Sequence, residues 1–401
     1  MGLATAWRIT ERFPDLRLLI LDKEEDVGRH QTSHNSGVIH AGLYYTPGSL
    51  KARLAVEGRE AMIRFAREHG VPHEISGKIV VALTEDEIPR LRAIHERAVQ
   101  NGVPGVRLIG PEAIRDIEPH ARGVMALHSP ATGIIDYGAV ARSLAKEVRE
   151  QGGEFVLGAA VTSISSDSRG ARVETTKGSF SCRFLITATG LQADRVAGPG
   201  EGDADVRVVP FRGSYHLLSP DRSFLVRSLI YPVPDPRLPF LGVHFTKRVT
   251  DGAIMVGPNA IFAFARETYT RSGFNLRDTV DLLRWPGTWS IARRFWRNGL
   301  WQIRHDASLT ASWRDARRYI PALERQDLVP GPTGIRAQTV TRRGELTDDF
   351  LFTARPNALH IRNAPSPAAT ASLAIGAYIV SYVRSELESL GRSGGGTISL
   401  T

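Results

Sequence analysis

One cysteine in 401 residues, Cys182, is too few for a disulfide, an iron–sulfur cluster or a cysteine-based zinc site. Long apolar runs are missing too, and none approaches the roughly 18 residues that a membrane-spanning helix needs. No basic-then-apolar leader with a small-residue cleavage site opens the chain, so an intracellular, cytoplasmic protein is expected. The net charge is +9, yet no lysine-rich tail and no RNA- or DNA-binding motif accompanies it, which argues against a nucleic-acid partner. What is present is an ordinary folded composition, 42% hydrophobic and 23% charged, long enough for a large core in two lobes. Residues 271–320 stand apart. They hold ten arginines against four acids, and five of the six tryptophans (Trp285, Trp289, Trp296, Trp301 and Trp313). Such a mixture suits peripheral contact with the inner face of a membrane, rings among headgroups and guanidinium groups on anionic lipid. It equally suits a solvated helical lobe whose tryptophans are core.

A further absence lies at the start, "MGLATAWRITERFPDLRLLILDKEED". Leu3, Ala6, Trp7 and Ile9 share a helical face, Pro14-Asp15 breaks the helix, and Leu18–Leu21 reads as a buried strand ending at Asp22. Helix, turn, strand and terminal carboxylate make the second half of a dinucleotide-binding βαβ unit. The first strand and its G-x-G are not there.

Further on, helical periodicity marks residues 51–70, 86–101 and 138–151, and "GKIVVAL" (77–83) reads as a strand of a different lobe. Short strands with turn signals fill 159–184, and "LITATG" (185–190) returns the chain to the parallel sheet. From 206 to about 334, strands such as "FLGVHFT" alternate with the Trp/Arg helices, as in an antiparallel sheet with a helical cap. No internal repeat is visible, and "GRSGGGTISLT" reads as a disordered tail.

Asp22, the Thr189-Gly190 pair and the small residues of "NAPSPAATASLAIGAYIV" together resemble the FAD-binding segments of the D-amino-acid oxidase-like flavoproteins. The series "HQTSHNSGVIHAGLYYTPGSLKA" (30–52), "PFRGSY" (210–215), "IYPVPDPRLPFLGVHFT" (230–246), "VGPNA" (256–260), "GIRAQ" (334–338) and "NAPSPAAT" (363–370) narrows this. It resembles the L-2-hydroxyglutarate oxidase/dehydrogenase family, from Gly2 to about residue 388.

The resemblance implies an α/β fold: an FAD-binding Rossmann-like parallel sheet, with a second α+β substrate lobe of antiparallel sheet and helices. The expected division is 1–76, 136–205 and 335–390 for the FAD part, 77–135 and 206–334 for the substrate part, and 391–401 as a flexible tail. The implied reaction oxidises the C2 hydroxyl of L-2-hydroxyglutarate to 2-oxoglutarate by hydride transfer to the flavin, with quinone or oxygen taking the electrons onward. The implied cofactor contacts are Gly2, Asp22, Ser36, Gly37, His40, Val161, Thr189, Gly190, Asn363, Pro365, Ser366 and Ala368. No metal is expected, because no carboxylate–histidine cluster surrounds the flavin loop.

A dicarboxylate substrate calls for cationic clamps, and arginine's fork matches a carboxylate. Arg336 stands where related oxidases place the arginine for the α-carboxylate. Arg212 is a candidate for the far carboxylate or for an interlobe salt bridge, with Tyr215 beside it as a supplement or as core. The base that takes the hydroxyl proton suits histidine. His244 is the first choice, since it alternates with apolar neighbours on a substrate-lobe strand; His34 is the second.

In the family pattern a strand and two glycines precede Gly2. Their absence leaves two neighbouring strands without a partner and raises the expectation of roughly ten residues upstream, since unpaired buried backbone costs about 1–3 kcal/mol per group. Two other readings stay open: a flavoprotein acting on another small acid, an amine or glycerol 3-phosphate, and a cofactor-free binding paralogue.

Overall fold

The computed structural model describes residues 1–198, 205–236, 241–392 and 397–401. Helix Gly2–Arg12 starts without a side-chain cap and ends at Phe13, ahead of the Pro14 turn. It is buried on more than its apolar stripe, because helix Ser372–Tyr382 lies against it. A Cβ on Gly376 would stand 2.7 Å from the Ala4 carbonyl oxygen, so only glycine admits this approach. On another side Trp7 meets Phe65 edge-on, with ring centroids 5.2 Å apart. Phe65 belongs to helix Leu50–Glu68, which begins where the Ser49 side chain accepts from the Ala52 N–H.

Strand Arg17–Leu21 follows the first helix into a six-stranded sheet. In spatial order its strands are Leu351–Arg355, Ala358–Asn363, Phe184–Thr187, Thr397–Leu400, Arg17–Leu21 and Glu154–Val156. All neighbours are parallel except the first pair. The slot beside Arg17–Leu21 is filled, and this corrects two expectations. The tail is not uniformly flexible: Thr397–Leu400 is a strand with Ile398 and Leu400 in the core. Nor are its neighbours unpartnered, since Leu18 and Phe184 both pair with Ile398, and Ile186 pairs with Leu400. The physical reason is burial: Ile398 and Leu400 enter the core, and the small Ser399 between them is buried as well, so four residues complete the sheet. Residues 393–396, which lead into this strand, lie outside the described residues.

A second, nine-stranded sheet carries Lys78–Ala82, Leu229–Pro232, His244–Lys247 and Ile254–Gly257 side by side. Its longest pair is Val206–Leu218 against Leu328–Thr341, antiparallel. The expected boundary at 334/335 therefore falls inside a continuous strand, and the chain leaves this sheet only after Thr341. Strands Val161–Asp167, Gly170–Thr175 and Gly178–Cys182 form the expected small meander.

Helices Leu276–Arg284, Pro286–Arg294, Trp296–Ala307 and Leu309–Ala316 hold the Trp/Arg segment. Its tryptophans divide. Trp285 is core and donates from Nε1 to the Val340 carbonyl, whereas Trp289, Trp296 and Trp301 are exposed. No helix of the described residues is long and apolar enough to cross a membrane.

Candidate active site

One cavity of about 1770 Å³ runs from the start of the first helix to the nine-stranded sheet. Small-molecule sites usually span about 300–1000 Å³, so this one has room for a dinucleotide and a small substrate together. At one end stand Gly2 and Leu3, whose first-turn N–H groups have no side-chain cap, and Asp22 just past the strand Arg17–Leu21. Burial pushes the Asp22 carboxyl up, partly opposed by the Glu24 N–H that donates to it at 2.9 Å. Thr189 and Gly190 follow the end of Phe184–Thr187, and Gly190 has φ +50°. The Thr189 hydroxyl lies buried on the cavity wall with no hydrogen-bond partner.

The loop 30–40 runs along the cavity. Asn35 shapes it, donating to the carbonyls of Gln31 and Thr32 and accepting from the Gly37 N–H. Ser36 and His40 line the cavity, while Gly37 supports the loop from behind with φ +67° and Ile135 at its back. Opposite, Pro365, Ser366 and Ala368 line the wall ahead of helix Ser372–Tyr382. Asn363 anchors that segment by donating to Thr347 and Asp349 carbonyls and accepting from Thr339. Val161 adds an apolar contact near Asp22's end.

At the far end the sheet gathers Tyr215, Tyr231, His244 and Arg336 on the cavity wall. His244 leans on the Tyr231 ring, centroids 4.2 Å apart, and its Nδ1 is 2.9 Å from the Gly242 carbonyl. A carbonyl only accepts, so Nδ1 carries the hydrogen and Nε2 keeps a free lone pair. Burial, helped by the positive charges of Arg336 and Lys78, pushes His244 down to about 3 and keeps it neutral. His40 is held down to about 3 as well, again chiefly by burial. Burial also lowers Arg336, opposed by Tyr215 and Tyr231, and raises the Tyr215 hydroxyl.

Not every expected residue reaches this end. Arg212 is buried in an ion pair with Asp306 at 2.6 Å and lies off the cavity. Cross-strand register explains it: Phe211 pairs with Arg336 and Arg212 with Ile335, so the two arginines point to opposite faces. His34 lines the cavity, but its ring stacks on Tyr269 at 3.7 Å and its Nδ1 meets the His30 carbonyl at 3.0 Å. Three participants at the far end went unnamed in the sequence: Tyr44, Tyr231 and Lys78. The first two lie inside the quoted family segments. Lys78 carried its own signal, a charge opening an otherwise apolar strand. No group of residues among those described could hold a metal ion.

Residues 1–382 match the profile of the DAO family, FAD dependent oxidoreductases. The chain belongs to this family. It is 43% identical over 383 residues to a protein of Indibacter alkaliphilus named L-2-hydroxyglutarate dehydrogenase, covering 95% of this chain and 96% of the relative. The mitochondrial L-2-hydroxyglutarate dehydrogenase of Homo sapiens is 42% identical over 405 residues, covering 97% and 87%. Among solved structures, the FAD-bound L-alpha-glycerophosphate oxidase of Mycoplasma pneumoniae superposes with TM-score 0.75 at 20% identity, covering 95% of this chain and 91% of its own. Glycine oxidase of Geobacillus kaustophilus follows with TM-score 0.68 at 18% identity, covering 95% and 91%.

In this FAD-dependent oxidoreductase the residues fit the cofactor. The unpartnered Thr189 hydroxyl, the uncapped helix start at Gly2 and the carboxylate of Asp22 are the donor and acceptor types that a pyrophosphate and a ribose take.

Proposed function

We propose that the chain oxidises L-2-hydroxyglutarate to 2-oxoglutarate. One observation carries the reading: a buried arginine and a histidine held neutral stand on the same wall of the cavity, close enough for Arg336 to depress His244. FAD, when bound, supplies the acceptor for the hydrogen that leaves C2 with its electron pair. Gly2, Asp22, Thr189, Gly190 and the 363–368 segment would hold it. Arg336 binds the carboxylate beside C2, and its forked geometry fixes which way the hydroxyl points. His244 takes the hydroxyl proton on Nε2, while Gly242 keeps Nδ1 protonated and the ring in place. Burial is the main cause of the depression of His244; a bound dianion offsets the smaller share that comes from Arg336 and Lys78, so the base strengthens when substrate arrives. Tyr215 and Tyr231 cover the site with ring surface and exclude water. The names of relatives about 42% identical over nearly the whole chain point to the same substrate.

The test is the visible spectrum of the purified protein under anaerobic conditions. L-2-hydroxyglutarate is expected to bleach the flavin band, with 2-oxoglutarate formed one for one. Bleaching by glycine, sarcosine or glycerol 3-phosphate instead would sink the reading and point to another branch of the family.

The electron acceptor that the Trp/Arg helices favour is a membrane quinone. Trp296, Leu300 and Ile303 are exposed on one face of helix Trp296–Ala307, and the Arg297 guanidinium lies 5.3 Å from the Trp296 ring centre. Trp289 is exposed on the preceding helix, beside Arg293 and Arg294. Exposed rings among arginines match a headgroup layer of anionic lipid.

A further inference from the structure

Behind the cavity's far end lies a cation that the reaction as described does not use. Lys78 is 1% exposed and opens the strand Lys78–Ala82. No carboxylate among the described residues pairs with it. Its Nζ sits over two rings, 4.9 Å from the Tyr44 centroid and 4.7 Å from that of Tyr231, and donates to the Tyr44 hydroxyl at 3.4 Å. Burying an ammonium without a counter-ion is costly, and a protein keeps one where an anion arrives later. Tyr44 and Tyr231 line the cavity; Lys78 stands one ring behind them. Because Tyr44's oxygen accepts from Lys78, its own hydrogen is free to donate into the cavity.

We infer that Lys78 sets the preference of this site for a substrate with two carboxylates, holding the second one through the hydroxyl of Tyr44. The inference rests on the proposed function and takes the place sequence reasoning offered to Arg212, which is spent on Asp306. Lys78 is a positioning residue. It never touches the substrate; it polarises Tyr44 and supplies a second positive charge beside that of Arg336. The groups facing it are Tyr44, Tyr231, His40 and His244, none of them negative. Burial brings its ammonium down to about 7, so in mildly alkaline buffer the empty site holds it mostly neutral, and a bound dianion recharges it.

Two measurements decide the matter. The first compares L-2-hydroxyglutarate with L-2-hydroxypentanoate, which has a methyl group in place of the second carboxylate. In Lys78→Met the ratio of their kcat/KM values should fall by about 30-fold, chiefly through KM, because Tyr44 keeps its hydroxyl but loses the charge that polarises it and faces the dianion. Lys78→Arg should recover part of the ratio. The second is calorimetry of glutarate binding to the wild-type holoenzyme at pH 8, in two buffers of different ionisation enthalpy. Uptake approaching one proton is expected, and its loss in Lys78→Met. An unchanged ratio, or binding without proton uptake, overturns the inference. The wild-type calorimetry still decides if Lys78→Met fails to fold. If L-2-hydroxyglutarate does not bleach the flavin, the proposed function has failed, while the glutarate result still tests Lys78.

Discussion

At the scale of single residues, two neighbours hold His244 on the cavity wall. The Gly242 carbonyl sets its tautomer and the Tyr231 ring sets its tilt. Replacing it with asparagine should leave the flavin band in place and slow anaerobic flavin reduction by about 10²–10⁴-fold, the usual worth of a positioned base. A slowing of less than threefold would assign the proton to another group. Burial of His40 and His244 also ties stability to pH. Both fall from 6.5 to about 3 on folding, so the unfolded chain binds their protons first as the medium is acidified. Their contribution is complete above pH 6.5 and drains away between 6.5 and about 3. Near pH 5 each should have cost about 2 kcal/mol, read as a lower urea midpoint than at pH 7.5, and the drop should shrink in His244→Asn. Sequence motifs pointed to Arg336 and His244 because their segments are distinctive. They left Arg212 open between the far carboxylate and a salt bridge, because nothing local says which face of a paired strand a side chain takes.

At the scale of elements, the strand Thr397–Leu400 decides most. It joins Arg17–Leu21 to Phe184–Thr187, whose following turn brings Thr189 and Gly190 to the cavity. Its loss would split the parallel sheet beside Thr189 and Gly190. Ile398→Asp puts a carboxylate into a fully buried apolar position, where the residue alone is worth about 1.5–3 kcal/mol before any charge penalty. The purified variant should show a lower ratio of flavin to protein absorbance and a lower melting temperature. Val329→Asp, on an exposed strand position, should change neither. Full flavin content in Ile398→Asp would mean the sheet tolerates the gap.

At the scale of the whole molecule, the six-stranded and nine-stranded sheets stand at opposite ends of one cavity, and the Trp/Arg helices pack on the nine-stranded sheet through Trp285 and Ile291. The exposed rings therefore sit on the side of the nine-stranded sheet. Vesicles containing anionic phosphatidylglycerol should co-sediment the protein more strongly than neutral phosphatidylcholine vesicles, and salt should weaken the effect. Serine at Trp296, Leu300 and Trp301 together should abolish it with flavin reduction intact. Equal sedimentation of variant and wild type would remove the membrane from the account.

The sequence by itself determined the elements with a strong local period, such as helix Gly2–Arg12 and strand Arg17–Leu21, and the family segments that carry Arg336 and His244. Periodicity of 3.6 or 2 reports how one segment turns its apolar side, and that is readable within a dozen residues. Only the tertiary structure decided which segment fills the central slot of the parallel sheet, which arginine faces the cavity, and that Lys78 stands behind Tyr44. Each of these depends on pairing between segments far apart in the chain. A strand as short as Thr397–Leu400, set behind a run of glycines, carries no mark of its partners until the sheet that needs it has formed.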